Sequence, residues 1–292
     1  MKMKLSLSVL VAPLMLAILP AVLLAQWPAY PSKNVPKLAN GKPNMDGPTP
    51  HTPDGHVDLS GIWQFVDANK RPPRPPAAAA KGGPPPVGKD GLPVGFKSQF
   101  FNIGSTLPEG HLPFTPWAAA LREKRKDNNN KDTPDAHCLP LGLMQLHTHP
   151  QPRRIVQTPD EMVIMYEANY GLRQIFTDGR PVPKIDDVEP WWYGYSVGHW
   201  EGDTMVVETV GFRDDVWLDV EGSPLTNTGK MIERFSRPDF GHLRMDITVE
   251  DPKAYTHPWT VTVNQKLMLN TNLIEFICNE NEASDAHLVG NH

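Results

Sequence analysis

The sequence predicts an all-β protein: an antiparallel meander closing into a barrel, with a β-sandwich as the alternative, one short helix and a Pro-rich N-terminal extension. Three observations carry this. Residues 191–212 read WWYGYSVGHW, EGD, TMVVETVGF, two aromatic and β-branched runs around a tight acidic-glycine turn, which is a hairpin signal. From residue 162 onward, short runs of this kind recur without helical periodicity between them. Asp178-Gly179-Arg180-Pro181, Asp239-Phe240-Gly241 and Asp251-Pro252 supply turns between the runs, and short connections favour antiparallel pairing.

Taken in order, residues 1–25 read as a secretory signal, with Lys2 and Lys4 ahead of an apolar stretch ending at Ala25. Pro13 and Pro20 favour cleavage over a retained anchor, so a membrane is a partner only if the segment stays uncleaved. Residues 26–57 form an extended, Pro-rich lead-in without periodic pattern. A single β-rich domain fills 58–292, opening on the strand 58–66 with Ile62, Gln64 and Val66 on one face and Trp63 and Phe65 on the other. Residues 71–95, dominated by Pro, Ala, Gly and Lys, form an insertion without core-forming residues. Residues 116–126 predict a helix, begun by Pro116, with Trp117, Ala120 and Leu121 on one face. Residues 136–152 read as irregular. Strands are then expected over 162–166, 173–176, 193–200, 204–210, 231–235, 243–249, 260–269 and 273–278. In the first arm of the hairpin, Tyr193, Tyr195 and Val197 face opposite to Gly194, Ser196 and Gly198, and the small residues leave room for a neighbour or a ligand.

The formal charge of −5, without a basic cluster beyond Lys124-Arg125-Lys126, argues against a nucleic-acid partner. Export implies an oxidising compartment, periplasmic or extracellular. Cys138 and Cys278, the two cysteines of the chain, are expected to form one disulfide. Two buried thiols, or a metal-binding or nucleophilic cysteine, are the alternatives.

Several residues are candidates for chemistry. His147 and His149, with His137 upstream, have donor types that suit zinc or copper, although no carboxylate follows at a telling distance. Glu167 and Arg173 sit at facing ends of consecutive strands, as a cross-strand ion pair or as an acid–base carboxylate with an anion partner. Asp178 caps a turn, or presents a carboxylate at a barrel mouth. Tyr193, Tyr195, His199 and Trp200 concentrate aromatic surface, either as core or as the lining of a cavity for a flat or apolar ligand. Nucleophile elbow, phosphate loop, dinucleotide fingerprint and zinc-protease helix motifs are all missing from the sequence, which argues against the common hydrolases, kinases, dehydrogenases and zincins.

Gly61-x-Trp63 on the first strand resembles the opening of lipocalins and the wider calycin barrels, where the tryptophan closes one barrel end. Gly61-x-Trp63, Cys138-Leu139-Pro140, Asp178-Gly179-Arg180, Trp200-Glu201-Gly202-Asp203-Thr204, Gly211-Phe212, Glu233-Arg234-Phe235, Asp251-Pro252 and Cys278-Asn279-Glu280-Asn281 together resemble a family of exported bacterial proteins without an assigned activity. That resemblance implies a signal peptide and a β-rich fold, and assigns no catalytic residue. The expected function is binding of a small, partly apolar ligand in a barrel cavity near Tyr193, Tyr195, His199 and Trp200. The alternatives are an enzyme on the same cavity, with Glu167, Asp178 or His199 as acid or base and Arg173 as anion partner, or an envelope structural protein. The sequence implies no particular cofactor.

Overall fold

Apolar residues at every second position close the sheet. The computed structural model describes residues 30–66, 102–278 and 280. Its strands are β1 (Gly61–Val66), β2 (Arg153–Gln157), β3 (Glu161–Tyr166), β4 (Leu172–Phe176), β5 (Tyr195–Glu201), β6 (Thr204–Val210), β7 (Val216–Trp217), β8 (Pro224–Leu225), β9 (Lys230–Ser236), β10 (His242–Glu250) and β11 (Trp259–Leu267). Nine of them form a closed barrel in the order β1-β11-β10-β9-β6-β5-β4-β3-β2, while β7 and β8 pair separately. In β10, Leu243, Met245, Ile247 and Val249 are all buried, and they meet Val261, Val263 and Phe235 across the neighbouring strands. This is the alternation expected of a barrel wall with one face inward.

Trp63 is fully buried near the end of the barrel where β1 meets β2 and β11, paired with Arg153 and Leu267. Its indole N–H donates to the Leu59 carbonyl at 3.0 Å, and the Arg237 guanidinium lies 4.9 Å from its ring centre.

The barrel departs from a pure meander at one seam. β4 and β5 run parallel and pair only as Ile175↔Ser196 and Phe176↔Val197. Adjacent parallel strands need a crossover, and residues 177–194, with Pro181, Pro183 and Pro190, supply it. The expected strand over 193–200 therefore starts at Tyr195. Residues 273–278 are not a strand; the barrel closes through β1 and β2 without them. β2 was not anticipated, because Arg153 and Arg154 interrupt its apolar pattern.

Two α-helices occur among the described residues. α1 (Pro116–Asp127) is begun by Thr115, whose hydroxyl accepts from the Ala118 N–H. Its inward face carries Ala118, with Leu121, Arg122 and Arg125 half-buried, whereas Trp117 is exposed beneath Lys253. The expected Trp117–Ala120–Leu121 face is thus rotated, because α1 packs by its arginines: Arg125 lies over Trp217 and donates to the Gly222 carbonyl at 2.7 Å. α2 (Leu143–Thr148) lies within the segment read as irregular, and Leu143 to His147 are all buried. Gly142, ahead of it, meets the Trp217 carbonyl so closely that an added Cβ would lie 2.3 Å from that oxygen.

The lead-in follows a defined path from residue 30. The Phe240 N–H donates to Gly47 and the Gly241 N–H to Met45, and Val57 and Leu59 are buried. Backbone pairing to the β9–β10 turn fixes a segment whose side chains show no periodic pattern. Cys138 and Cys278 form a disulfide across 140 residues. Among the described residues no helix is long and apolar enough to cross a membrane. The signal segment 1–25 and the insertion 71–95 lie outside the described residues.

Candidate functional site

The barrel interior is not purely apolar. On β9, Met231, Glu233 and Phe235 share the inward face, so the alternation carries one carboxylate into the core. β4 supplies Arg173 opposite it. The guanidinium grips Glu233 with two N–H groups, one of them 3.0 Å from Oε1. Its other donors reach Thr209 Oγ1 at 2.8 Å and Ser196 Oγ at 3.1 Å. α2 lowers His147 onto the same carboxylate, Nε2 to Glu233 Oε1, at 2.8 Å. Arg153 and Gln265 hold α2 there by donating to the His147 carbonyl at 2.7 and 3.1 Å.

Electrostatics follow from this packing. Burial alone would raise the Glu233 carboxyl, but the Arg173 charge and the His147 hydrogen bond outweigh it and hold the group at about 2. Burial pushes the His147 imidazole down from its ordinary value despite Glu233. The histidine is therefore neutral, donating from Nε2, and its Nδ1 has no hydrogen-bond partner among the described residues. Burial likewise lifts the neighbouring Tyr166 phenol to about 12.

A groove borders this network, where the short β4–β5 pairing ends. Ahead of Ile175 and Ser196 the two strands are not paired with each other, and a cavity of about 380 Å³ is lined there by Trp191, Trp192, Tyr193, Tyr195, Phe176 and Leu172, with Arg173 and Ser196 at its floor and Arg213 beside them. Tyr193 packs its hydroxyl against Gly171, where an added Cβ would lie 2.7 Å from that oxygen. Its ring lies 6.4 Å from that of the buried Tyr166. Tyr195 packs with Phe176 and Trp191 at 5.3 and 6.1 Å and accepts from Arg180 at 2.9 Å.

The residues singled out from the sequence are dispersed. Arg173 is a buried ion-pair partner, but of Glu233, which strand alternation could have revealed and pairwise proximity in sequence did not. Glu167 accepts the Ile274 N–H at 3.0 Å. Asp178 pairs with Arg180 in an exposed turn, and that contact lowers its carboxyl. His199 lies on the outer barrel face, 3.4 Å from Glu201. Trp200 stacks on His56, their centres 4.7 Å apart. Tyr193 and Tyr195 thus line the groove, whereas His199 and Trp200 are not among its lining residues. The three histidines do not converge either: His137 contacts the Lys131 carbonyl, His147 contacts Glu233, and His149 contacts Gln151. Among the described residues the group with metal-ligand spacing is instead Asp46, Asp239 and His242. No family model matches this chain, and neither a curated protein nor a solved structure does.

Proposed function

We propose that this is an exported barrel protein that binds a small, partly apolar molecule in the groove over the β4–β5 seam. The observation that supports it most is the wall of Trp191, Trp192, Tyr193 and Tyr195 around a cavity of about 380 Å³ left by a two-position strand pairing. A concave, mostly aromatic site with a few polar groups is the usual form of a small-molecule site. The barrel lumen is a poorer candidate, because large buried side chains and the Glu233 network occupy its inward positions. Export is supported by the leader of residues 1–25 and by the Cys138–Cys278 bond, which belongs to an oxidising compartment. The solvent-exposed Leu172 and Trp191 sit at the groove and expose apolar surface where a ligand would cover it. An acid–base enzyme built on Glu167, Asp178 and His199 is not favoured, since each is engaged by a different neighbour.

The test compares native and denaturing mass spectra of the purified full chain with those of a Trp191→Ala/Tyr195→Ala variant. The expected result is a non-covalent mass lost on denaturation and missing from the variant. It is accompanied by binding of the neutral dye N-phenyl-1-naphthylamine to the parent protein. A parent protein that carries no adduct and does not bind the dye overturns the reading.

A further inference from the structure

We infer that the groove's ligand is an amphipathic anion: one acidic group on an apolar or aromatic body, with Arg213 as the cation that receives the acid. This rests on the groove reading and adds the ligand's charge to it. The lining contains two cationic side chains, Arg173 and Arg213, and no carboxylate. Arg173 is already matched by Glu233 behind it, with nearly all its donors engaged. Arg213 differs: its guanidinium carbon lies over Trp192, 4.9 Å from the ring centre, which places it at the aromatic wall. Its contact is with Asp215 at 2.9 Å, a pair in which both side chains are largely exposed. Such a pair is weak and exchanges readily for a better-placed anion.

The far side of Arg213 is balanced in charge and adds no carboxylate in excess. A second cavity of about 530 Å³ shares the Trp192 and Arg213 wall and is lined by Lys124, Arg125 and Arg213 against Asp132 and Asp215. Arg125 is stacked over Trp217 as Arg213 is over Trp192. An acid held by Arg213 therefore has an aromatic wall on one side, and on the other Lys124 and Arg125 balanced by Asp132 and Asp215, so Arg213 itself is the cation that receives it. Planar guanidinium groups pre-set on aromatic faces bind carboxylates and similar oxyanions through two parallel N–H bonds. The groove volume suits the body of a small molecule and not a whole lipid.

Two fluorescent dyes separate charge from shape. N-phenyl-1-naphthylamine is neutral, and 8-anilinonaphthalene-1-sulfonate carries the same rings with one sulfonate. For the full chain, the sulfonate dye is expected to bind about tenfold more tightly, the worth of one charge-assisted contact at a partly exposed site. Arg213→Gln should abolish that preference, bringing the ratio of the two dye affinities to about one, and Arg213→Lys should keep part of it. Raising ionic strength should weaken only the sulfonate dye. Equal binding of the two dyes to the parent protein, or a preference that survives Arg213→Gln, overturns the anion inference and leaves the groove reading standing. Binding of neither dye overturns both. Arg213 is exposed and lies outside the barrel core, and unchanged circular dichroism of each variant verifies the fold.

Discussion

His147 Nε2 donates to Glu233 Oε1 at 2.8 Å, and both side chains are fully shielded from solvent inside the barrel. The helix that delivers the imidazole, α2, and the strand that delivers the carboxylate, β9, lie 86 residues apart in the chain. One buried carboxylate thereby fixes a helix, through His147, and a strand, through Arg173, against the same inner wall.

Removing that carboxylate should be costly. Glu233→Ala leaves the buried Arg173 guanidinium and the His147 Nε2–H without their acceptor, and an unpaired buried charge typically costs about 3–5 kcal/mol. Replacing both partners, Arg173→Met with Glu233→Met, removes the uncompensated charge and should recover more than half of the loss. Denaturant unfolding of the three proteins checks this; a double variant as unstable as the single one would show that the pair's value lies elsewhere.

The same network sets a direction for pH dependence. A carboxyl held at about 2 when folded, against 4.5 ordinarily, contributes stability above pH 4.5 that disappears as pH falls towards 2, on the order of 3 kcal/mol. His147 and His149 are lowered by burial, so the unfolded chain takes up their protons first and stability begins to fall below about pH 6.5. Asp219, whose burial raises its carboxyl, works in the opposite sense near pH 4 and is expected to offset part of the slope. Urea unfolding at a series of pH values should show one decline starting near 6.5 and a steeper one below 4.5. In Glu233→Met/Arg173→Met the steeper decline should be reduced.

Breaking the disulfide should act locally before it acts globally. The Cys138–Cys278 bond spans 140 residues, and reduction removes a constraint of about 5 kcal/mol on the unfolded chain. Residues 270–278 lie outside the barrel strands and are held by few hydrogen bonds, among them Ile274 to Glu167. Hydrogen exchange after reduction should therefore rise first in 270–278 while β9, β10 and β11 stay protected. Equal loss of protection across the barrel would contradict this.

The barrel itself was legible because alternation survives in single strands: Leu243, Met245, Ile247 and Val249 need no tertiary information to declare an inward face. Glu233 was equally legible in principle, since it sits between Met231 and Phe235 at inward parity. An ionised residue at such a position predicts a buried partner. The partner was not legible, as Arg173 is 60 residues away and only barrel closure brings it near. The groove was half legible. Tyr193 and Tyr195 stood out as aromatic residues, but the space beside them depends on a parallel pairing, and the crossover reads locally as a Pro-rich turn. α2, at six residues, is too short for a helical period to show.

The Trp63 end of the barrel depends on Arg237. Its guanidinium covers the indole and donates to the Phe240 carbonyl at 2.5 Å and to the Asp58 carbonyl, tying strand, turn and lead-in together. Arg237→Ala leaves two carbonyls and the ring face without their partner, and about 2–4 kcal/mol of stability should be lost. Arg237→Lys should recover little, because a single ammonium cannot fork to both carbonyls and stack. Thermal unfolding and a red-shifted tryptophan emission are the readouts.

Gly171→Ala tests whether Tyr193 shapes the groove. Gly171 has φ −63°, so alanine is conformationally acceptable there. Its Cβ, however, would lie 2.7 Å from the Tyr193 hydroxyl and 3.2 Å from the Tyr166 ring. The tyrosine hydroxyl is the far end of a side chain that can rotate, so the expected response is displacement of Tyr193 with only about 1 kcal/mol lost. Because Tyr193 is part of the groove's aromatic wall, that displacement changes the groove's shape. Binding of N-phenyl-1-naphthylamine should weaken several-fold, while Gly110→Ala, at a turn away from the groove lining whose added Cβ meets nothing, should leave binding unchanged despite its positive φ. Equal dye affinity in both variants would mean that Tyr193 is packing alone, and that Trp191 and Tyr195 define the groove without it.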